Sequence, residues 1–124
     1  MRELQIEGKA RFIGITGYSV KLLKQIAQEV PVDTVLSYCR YNLMNTDMDD
    51  VLTSFTQARG IGLINASPLM MGILTNGGAP EWHQASSEIK RAAERAIKVT
   101  AKHGVDISSF ACNFQCRILQ SQAL

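Results

Sequence analysis

Three short apolar runs constrain this chain more than anything else in it: Arg11-Phe-Ile-Gly-Ile-Thr16, Thr34-Val-Leu-Ser-Tyr38 and Ile61-Gly-Leu-Ile-Asn-Ala66. None alternates polar with apolar residues, so each reads as a strand buried on both faces, the pattern of a parallel sheet covered by helices. Helical patterns separate them, as parallel pairing requires. Ser19 caps a first helix that carries Leu22, Leu23, Ile26, Ala27 and Val30 at helical spacing, and Pro31 ends it. Thr46, with Asp49 three positions on, is a capping-box-like start for a second helix. That helix buries Met48, Val51, Leu52 and Phe55 and stops at Gly60. Connections this short impose right-handed crossovers. The fold class is α/β.

Past Ser67-Pro68-Leu69 the rhythm breaks. Asn76-Gly-Gly-Ala-Pro-Glu-Trp-His83 is a loop by its Gly and Pro content. A long helix follows, with Ile89, Ala92, Ala93, Ala96, Ile97 and Ala101 as its apolar stripe and Gly104 at its end. Asp106 caps a last helix through Ile107, Phe110, Ala111 and Phe114. At the other end, Arg2–Lys9 reads as the closing turns of a helix stopped by Gly8, so the chain opens in mid-element. Three parallel strands leave two apolar edges unpaired, a liability for association. Further strands of the same chain, or a second copy, would cover them.

A length of 124 residues allows one domain. The net charge of +2 and the scattered basic residues carry no nucleic-acid signature. The largest basic cluster, Lys90, Arg91, Arg95, Lys98 and Lys102, follows the solvated face of a helix. No apolar run approaches the roughly 18 residues of a membrane span, and the first residues lack the apolar core of a signal peptide. Cys39, Cys112 and Cys116, an odd set without a CxxC pair, suit reduced thiols in a cytoplasmic protein. His83 and His103 have no partner at metal-ligand spacing, so no metal site is expected.

A polar turn just past a buried strand is where parallel α/β folds place their ligands. Such a turn offers free backbone N–H groups, Ser67 adds a hydroxyl, and Gly72 lets a ligand come close to the backbone.

Gly8-Lys-Ala-Arg-Phe-Ile-Gly-Ile-Thr-Gly17, Leu36-Ser-Tyr-Cys-Arg-Tyr-Asn42 and Gly60-Ile-Gly-Leu-Ile-Asn-Ala-Ser-Pro-Leu-Met-Met-Gly72 together resemble the aldo-keto reductases. With Pro80-Glu-Trp-His83 they resemble the L-galactose dehydrogenase and D-threo-aldose 1-dehydrogenase branch, over about residues 1 to 115. The resemblance implies a (β/α)8 TIM barrel that binds NAD or NADP across the carboxyl ends of its strands and passes hydride between nicotinamide and an aldose or aldehyde. A full barrel needs about 250 residues. By this likeness the chain is a partial barrel holding about strands 5 to 7 with their helices.

Position by position, the resemblance puts Thr16 where the family touches the nicotinamide carboxamide, with Gly17 in place of the common Asn beside it. Tyr38 falls near a Gln that also holds the carboxamide, and Ala66 stands where many members stack an aromatic ring on the nicotinamide. Ser67, Pro68 and Leu69 match the pyrophosphate-contacting turn, and Gly72 and Leu74 the loop after it. The family's proton donor is a Tyr acidified by a Lys, completed by an Asp and a His, all from the other half of the barrel. Tyr18, Tyr38 and Tyr41 lie in the wrong strands for that role, so no catalytic residue is expected here. Cys116–Leu124 departs from the family as a divergent tail, which weakens or abolishes grip on the cofactor's adenosine end. The expectation is therefore a fragment of an NAD(P)-dependent sugar dehydrogenase or aldo-keto reductase, inactive alone. The alternative is a non-catalytic half-barrel that self-associates and binds nucleotide weakly.

Overall fold

The structure is a computed structural model and describes residues 2–121, with side chains described through residue 116. It divides into two compact units, one of residues up to Tyr41 with Thr46–Ala66, the other of Asn42–Asn45 with the residues from Ser67 on.

In the first unit the order is α1 (Arg2–Ile6), β1 (Gly14–Gly17), α2 (Val20–Glu29), β2 (Thr34–Tyr38), α3 (Ser54–Ala58) and β3 (Gly62–Ala66). The strands form one parallel sheet in the order β1-β2-β3, with Ile15 opposite Val35 and Val35 opposite Leu63. Ser19 caps α2 as expected, its hydroxyl accepting the Leu22 N–H at 3.3 Å. The buried stripe of that helix is Val20, Leu23 and Ala27, while Leu22 and Val30 are exposed.

Three expectations need correction. The first strand begins at Gly14 rather than Arg11. The Asp33 carboxylate accepts the Ile13 N–H at 2.8 Å and the Gln5 amide at 2.9 Å, so a side chain holds the approach to the strand. The third begins at Gly62, because the Ile61 N–H is spent on the Thr56 carbonyl, 2.9 Å away, at the end of α3. The second helix does not open with a side-chain capping box. The Thr46 carbonyl accepts the Asp49 N–H at 2.9 Å, and the chain runs through a wide π-helical turn, Asp49–Thr53, into α3.

The strands are also not buried on both faces. Val35 and Ser37 of β2 are fully buried while Leu36 and Tyr38 between them are partly open, and Thr16 and Ile64 are exposed. Alternate residues point to opposite faces, so one face is sealed and the other, lined by Thr16, Leu36 and Ile64, is not. The apolar run misleads because that second face is apolar without being covered. Close strand approach shows at Gly14, where a Cβ would meet the Thr34 side chain and lie 2.9 Å from its carbonyl oxygen.

The second unit holds a 3₁₀ turn (Met70–Gly72), α4 (Ser87–Lys102) and α5 (Ile107–Ser121). Its core is Ile73, Leu74, Ala93, Ile107 and Ala111, with Leu69, Ile89, Ala96 and Ile97 packed against them. Ala101, the last member of the expected stripe of α4, is exposed. Ser86 caps α4 by accepting the Ile89 N–H at 3.3 Å, and Asp106 caps α5 by accepting the Ser109 N–H at 2.8 Å. Asn76 donates to the other Asp106 oxygen at 2.7 Å, tying the loop after the turn to the start of α5. Of the divergent tail, the backbone is helical through Ser121, and residues 122–124 lie outside the described set.

Candidate functional site

Parallel strands bring their carboxyl ends to one edge of the sheet. Here that edge carries Gly17, Tyr38 and Ala66, with Gly17 opposite Ser37 and Tyr38 opposite Ala66. Thr16 is exposed on the open face, and Gly17, Tyr38 and Ala66 are half-buried. The residue after β2, Cys39, adopts a left-handed backbone (φ 57°) and donates its N–H to the Ala66 carbonyl at 3.0 Å. That conformation costs a non-glycine residue about 1–3 kcal/mol, and such strain clusters at ligand sites. Further bonds brace the loops above the edge. Arg40 donates from Nε to the Tyr18 carbonyl at 2.8 Å and pairs with Asp47 at 3.3 Å, and Asn65 donates to the Tyr41 carbonyl at 2.7 Å. Tyr18 and Tyr38 meet edge to face, their ring centroids 5.2 Å apart at 72°.

The second set of expected residues is the turn that opens the second unit. Ser67, Met70 and Met71 are left-handed at φ 63°, 49° and 53°, followed by Gly72 at φ 100°. Three consecutive positive angles make a tight coil, and Gly72 is the member for which a Cβ would also press on Pro80, 3.3 Å from its Cγ. Most of the turn's amides are consumed internally. Met70 donates to the Ser67 carbonyl at 3.0 Å, Met71 to the Ser67 hydroxyl at 3.0 Å, and Gly72 and Leu74 to the Leu69 carbonyl at 3.1 Å each. Among the described residues this leaves the Ser67 and Leu69 amides without a partner inside the turn. The Ser67 hydroxyl, already an acceptor for Met71, keeps its proton to donate. A small anionic group is the ligand that backbone and hydroxyl donors of this kind suit. The side chain of Leu74 is fully buried in the core of the unit and its N–H is taken, so neither is offered to a ligand.

Sequence reasoning missed what holds this coil in shape. His83 is buried, accepts the Ala85 N–H at Nδ1 (3.0 Å) and lies 3.1 Å from the Met70 carbonyl at Nε2. With Nδ1 an acceptor, the ring is the Nε2–H tautomer and donates to Met70. The signal was its place in Pro80-Glu-Trp-His83; its lack of metal-spaced partners drew attention away from a structural role. Among the described residues no cluster of three or more His, Cys, Asp or Glu side chains is placed to hold a metal ion, and no helix is long and apolar enough to cross a membrane.

Acid–base capacity at the strand ends is slight. Burial, reinforced by the Asp49 charge, pushes the Tyr41 phenol above its ordinary value. A phenol that shuttles protons near neutral pH needs the opposite shift.

Comparison with known proteins agrees with this architecture. The chain is 40% identical over 117 residues to the L-galactose dehydrogenase of Arabidopsis thaliana, which covers 92% of this chain and 36% of that enzyme. It is 26% identical over 123 residues to the D-arabinose 1-dehydrogenase of Saccharomyces cerevisiae, covering 92% of this chain and 37% of the relative. The chain thus spans little more than a third of the length of the curated relatives it matches. The sequence profile of the aldo/keto reductase family matches residues 1–118. Together with a sheet of three parallel strands joined through helices, this identifies the chain as part of a (β/α) barrel and as a member of the aldo/keto reductase family.

Proposed function

We propose that these residues are the cofactor-contacting part of an NAD(P)-dependent sugar dehydrogenase, and that the chain by itself binds the dinucleotide weakly and does not turn substrate over. The observation that carries the reading is the strained coil at Ser67–Gly72. The Ser67 hydroxyl and the Ser67 and Leu69 amides, which have no partner inside the turn, suit a pyrophosphate, in a coil shaped by three non-glycine left-handed residues. Thr16, Gly17 and Tyr38 form the nicotinamide-facing group at the strand ends, and Ser67, Pro68 and Leu69 the phosphate-facing turn, with Gly72 and Leu74 in the loop after it. When bound, the dinucleotide supplies or accepts the hydride. The chain's own part is to orient it.

The substrate class follows from the relatives, whose names specify L-galactose and D-arabinose. An aldose or a small aldehyde is the corresponding substrate of the complete barrel. Inactivity of the chain alone is in keeping with the Tyr41 phenol, which burial and the Asp49 charge shift upward, the direction opposite to that a proton donor near neutral pH needs. An amide-resolved NMR titration with NAD⁺ and NADP⁺ tests the binding. Saturable shifts at Ser67, Leu69 and Thr16 are expected; their absence at millimolar cofactor overturns the reading.

A second reading is favoured by the open sheet. β1 and β3 are both edge strands, and the uncovered face exposes Ile64 to 45%. A non-catalytic half-barrel that pairs with a second copy or a complementary half would bury them. Sedimentation as a monomer across the micromolar range removes that reading.

A further inference from the structure

Asn76 is the one asparagine of this chain that glycine follows, since Asn42, Asn45, Asn65 and Asn113 all precede larger residues. It sits where the backbone is least restrained. Asn76 and Gly77 are both exposed, in the loop between the 3₁₀ turn and α4. The Gly78 N–H is spent on the Thr75 carbonyl at 2.9 Å, while among the described residues the Gly77 N–H has no acceptor. The other asparagines lack this combination. Asn42 is fully buried, Asn65 lies in β3, and the exposed Asn113 lies inside α5, where the helix fixes the backbone.

The Asn76 side chain also carries a structural contact. Its Nδ2 donates to Asp106 Oδ2 at 2.7 Å, and the other Asp106 oxygen accepts the Ser109 N–H at 2.8 Å. The amide thus joins the loop to the first turn of α5. A carboxylate in its place has no proton to donate and faces Asp106 as a like charge.

We infer that Asn76-Gly77 is a site of spontaneous covalent modification, an amide-to-acid conversion that unties the loop from α5. The Gly77 backbone nitrogen attacks the Asn76 Cγ, unhindered because glycine has no Cβ. The new C–N bond closes a five-membered imide as the Cγ–Nδ2 bond breaks, and ammonia leaves with the proton that the backbone nitrogen gives up. Water then opens the imide at either carbonyl, leaving aspartate or isoaspartate at this position. The sequence is redox-neutral, and water is its one co-reactant. Asn76 and Gly77 line a solvent-open cleft of about 310 Å³ against α4, which brings that water to the imide. The product sets a negative charge against Asp106. That carboxyl, held low chiefly by the Ser109 backbone bond and in lesser part by Asn76, then rises toward its ordinary value.

The test is to age the whole purified chain in neutral buffer, wild type beside Gly77→Ala, and to follow both by peptide mass mapping with an isoaspartate-specific methyltransferase as the probe. A Cβ at Gly77 meets the Thr75 Oγ1 at 3.8 Å, an ordinary contact, so the variant keeps the loop as it is. The wild type gains the mass of an amide-to-acid exchange at Asn76, with isoaspartate among the products, and Gly77→Ala loses most of that conversion over the same time. By NMR, the aged wild type and fresh Asn76→Asp both lose the contacts between position 76 and Asp106, and the Asp106 carboxyl titrates at higher pH. A wild type that keeps its amide as long as Gly77→Ala, or that converts Asn113 as readily as Asn76, overturns the site. Conversion at Asn76 that leaves the contacts to Asp106 and its titration unchanged in the aged wild type overturns the release of the loop.

Discussion

His83 shows how one side chain can fix a turn it does not belong to. Its buried ring joins the Met70 carbonyl to the Ala85 N–H, both of them half-buried. Replacing it by Ala removes both bonds from half-buried partners, a loss of about 1 kcal/mol for each. We expect His83→Ala to lower the unfolding midpoint in denaturant accordingly and to broaden the amide signals of Met70–Gly72; an unchanged midpoint would mean the ring is not a brace. At this scale the sequence was legible where chemistry is carried by residue type, as with the hydroxyl of Ser67. It was silent where chemistry is carried by backbone angle. Nothing in Cys39, Met70 or Met71 announces a left-handed conformation, because these residues take it only when tertiary contacts impose it. Likewise, the free amides expected throughout the turn reduce to those of Ser67 and Leu69, since the coil turns the others inward.

Among the elements, α5 depends most visibly on its first contact. Asp106 accepts the Ser109 N–H and an Asn76 amide hydrogen, and these bonds, the Ser109 backbone bond above all, hold its carboxyl below the usual carboxylate range. A carboxyl depressed in the folded state stabilises fully above its unfolded value, and that stabilisation is lost as pH falls through the folded value. The melting temperature should therefore drop more steeply on acidification below the ordinary carboxylate range in the wild type than in Asp106→Asn, whose amide caps without titrating. Parallel slopes would contradict the cap's role. Helix caps at Ser19 and Asp106 were readable from sequence because local hydrogen bonding decides them, and the whole of β2 because its β-branched and apolar run fits a central strand. Strand starts at Gly14 and Gly62 were not, since the first is set by the Asp33 carboxylate, twenty residues away, and the second by the Thr56 carbonyl at the close of α3. The sealed and open faces were equally hidden. An apolar strand face looks the same in sequence whether a helix of the same unit covers it or another part of a barrel would.

For the molecule as a whole, the account separates holding a cofactor from using it. The chain covers 36% of an L-galactose dehydrogenase, and burial with the Asp49 charge raises the pKa of its Tyr41 phenol, the wrong direction for a proton shuttle near neutral pH. The most direct test is to titrate the purified chain with NAD⁺ by calorimetry and then add L-galactose to the same saturated sample while following NADH. We expect saturable heat with a weak dissociation constant and no NADH formed. Sustained NADH production by the chain alone, or no heat of binding at millimolar NAD⁺, would contradict it.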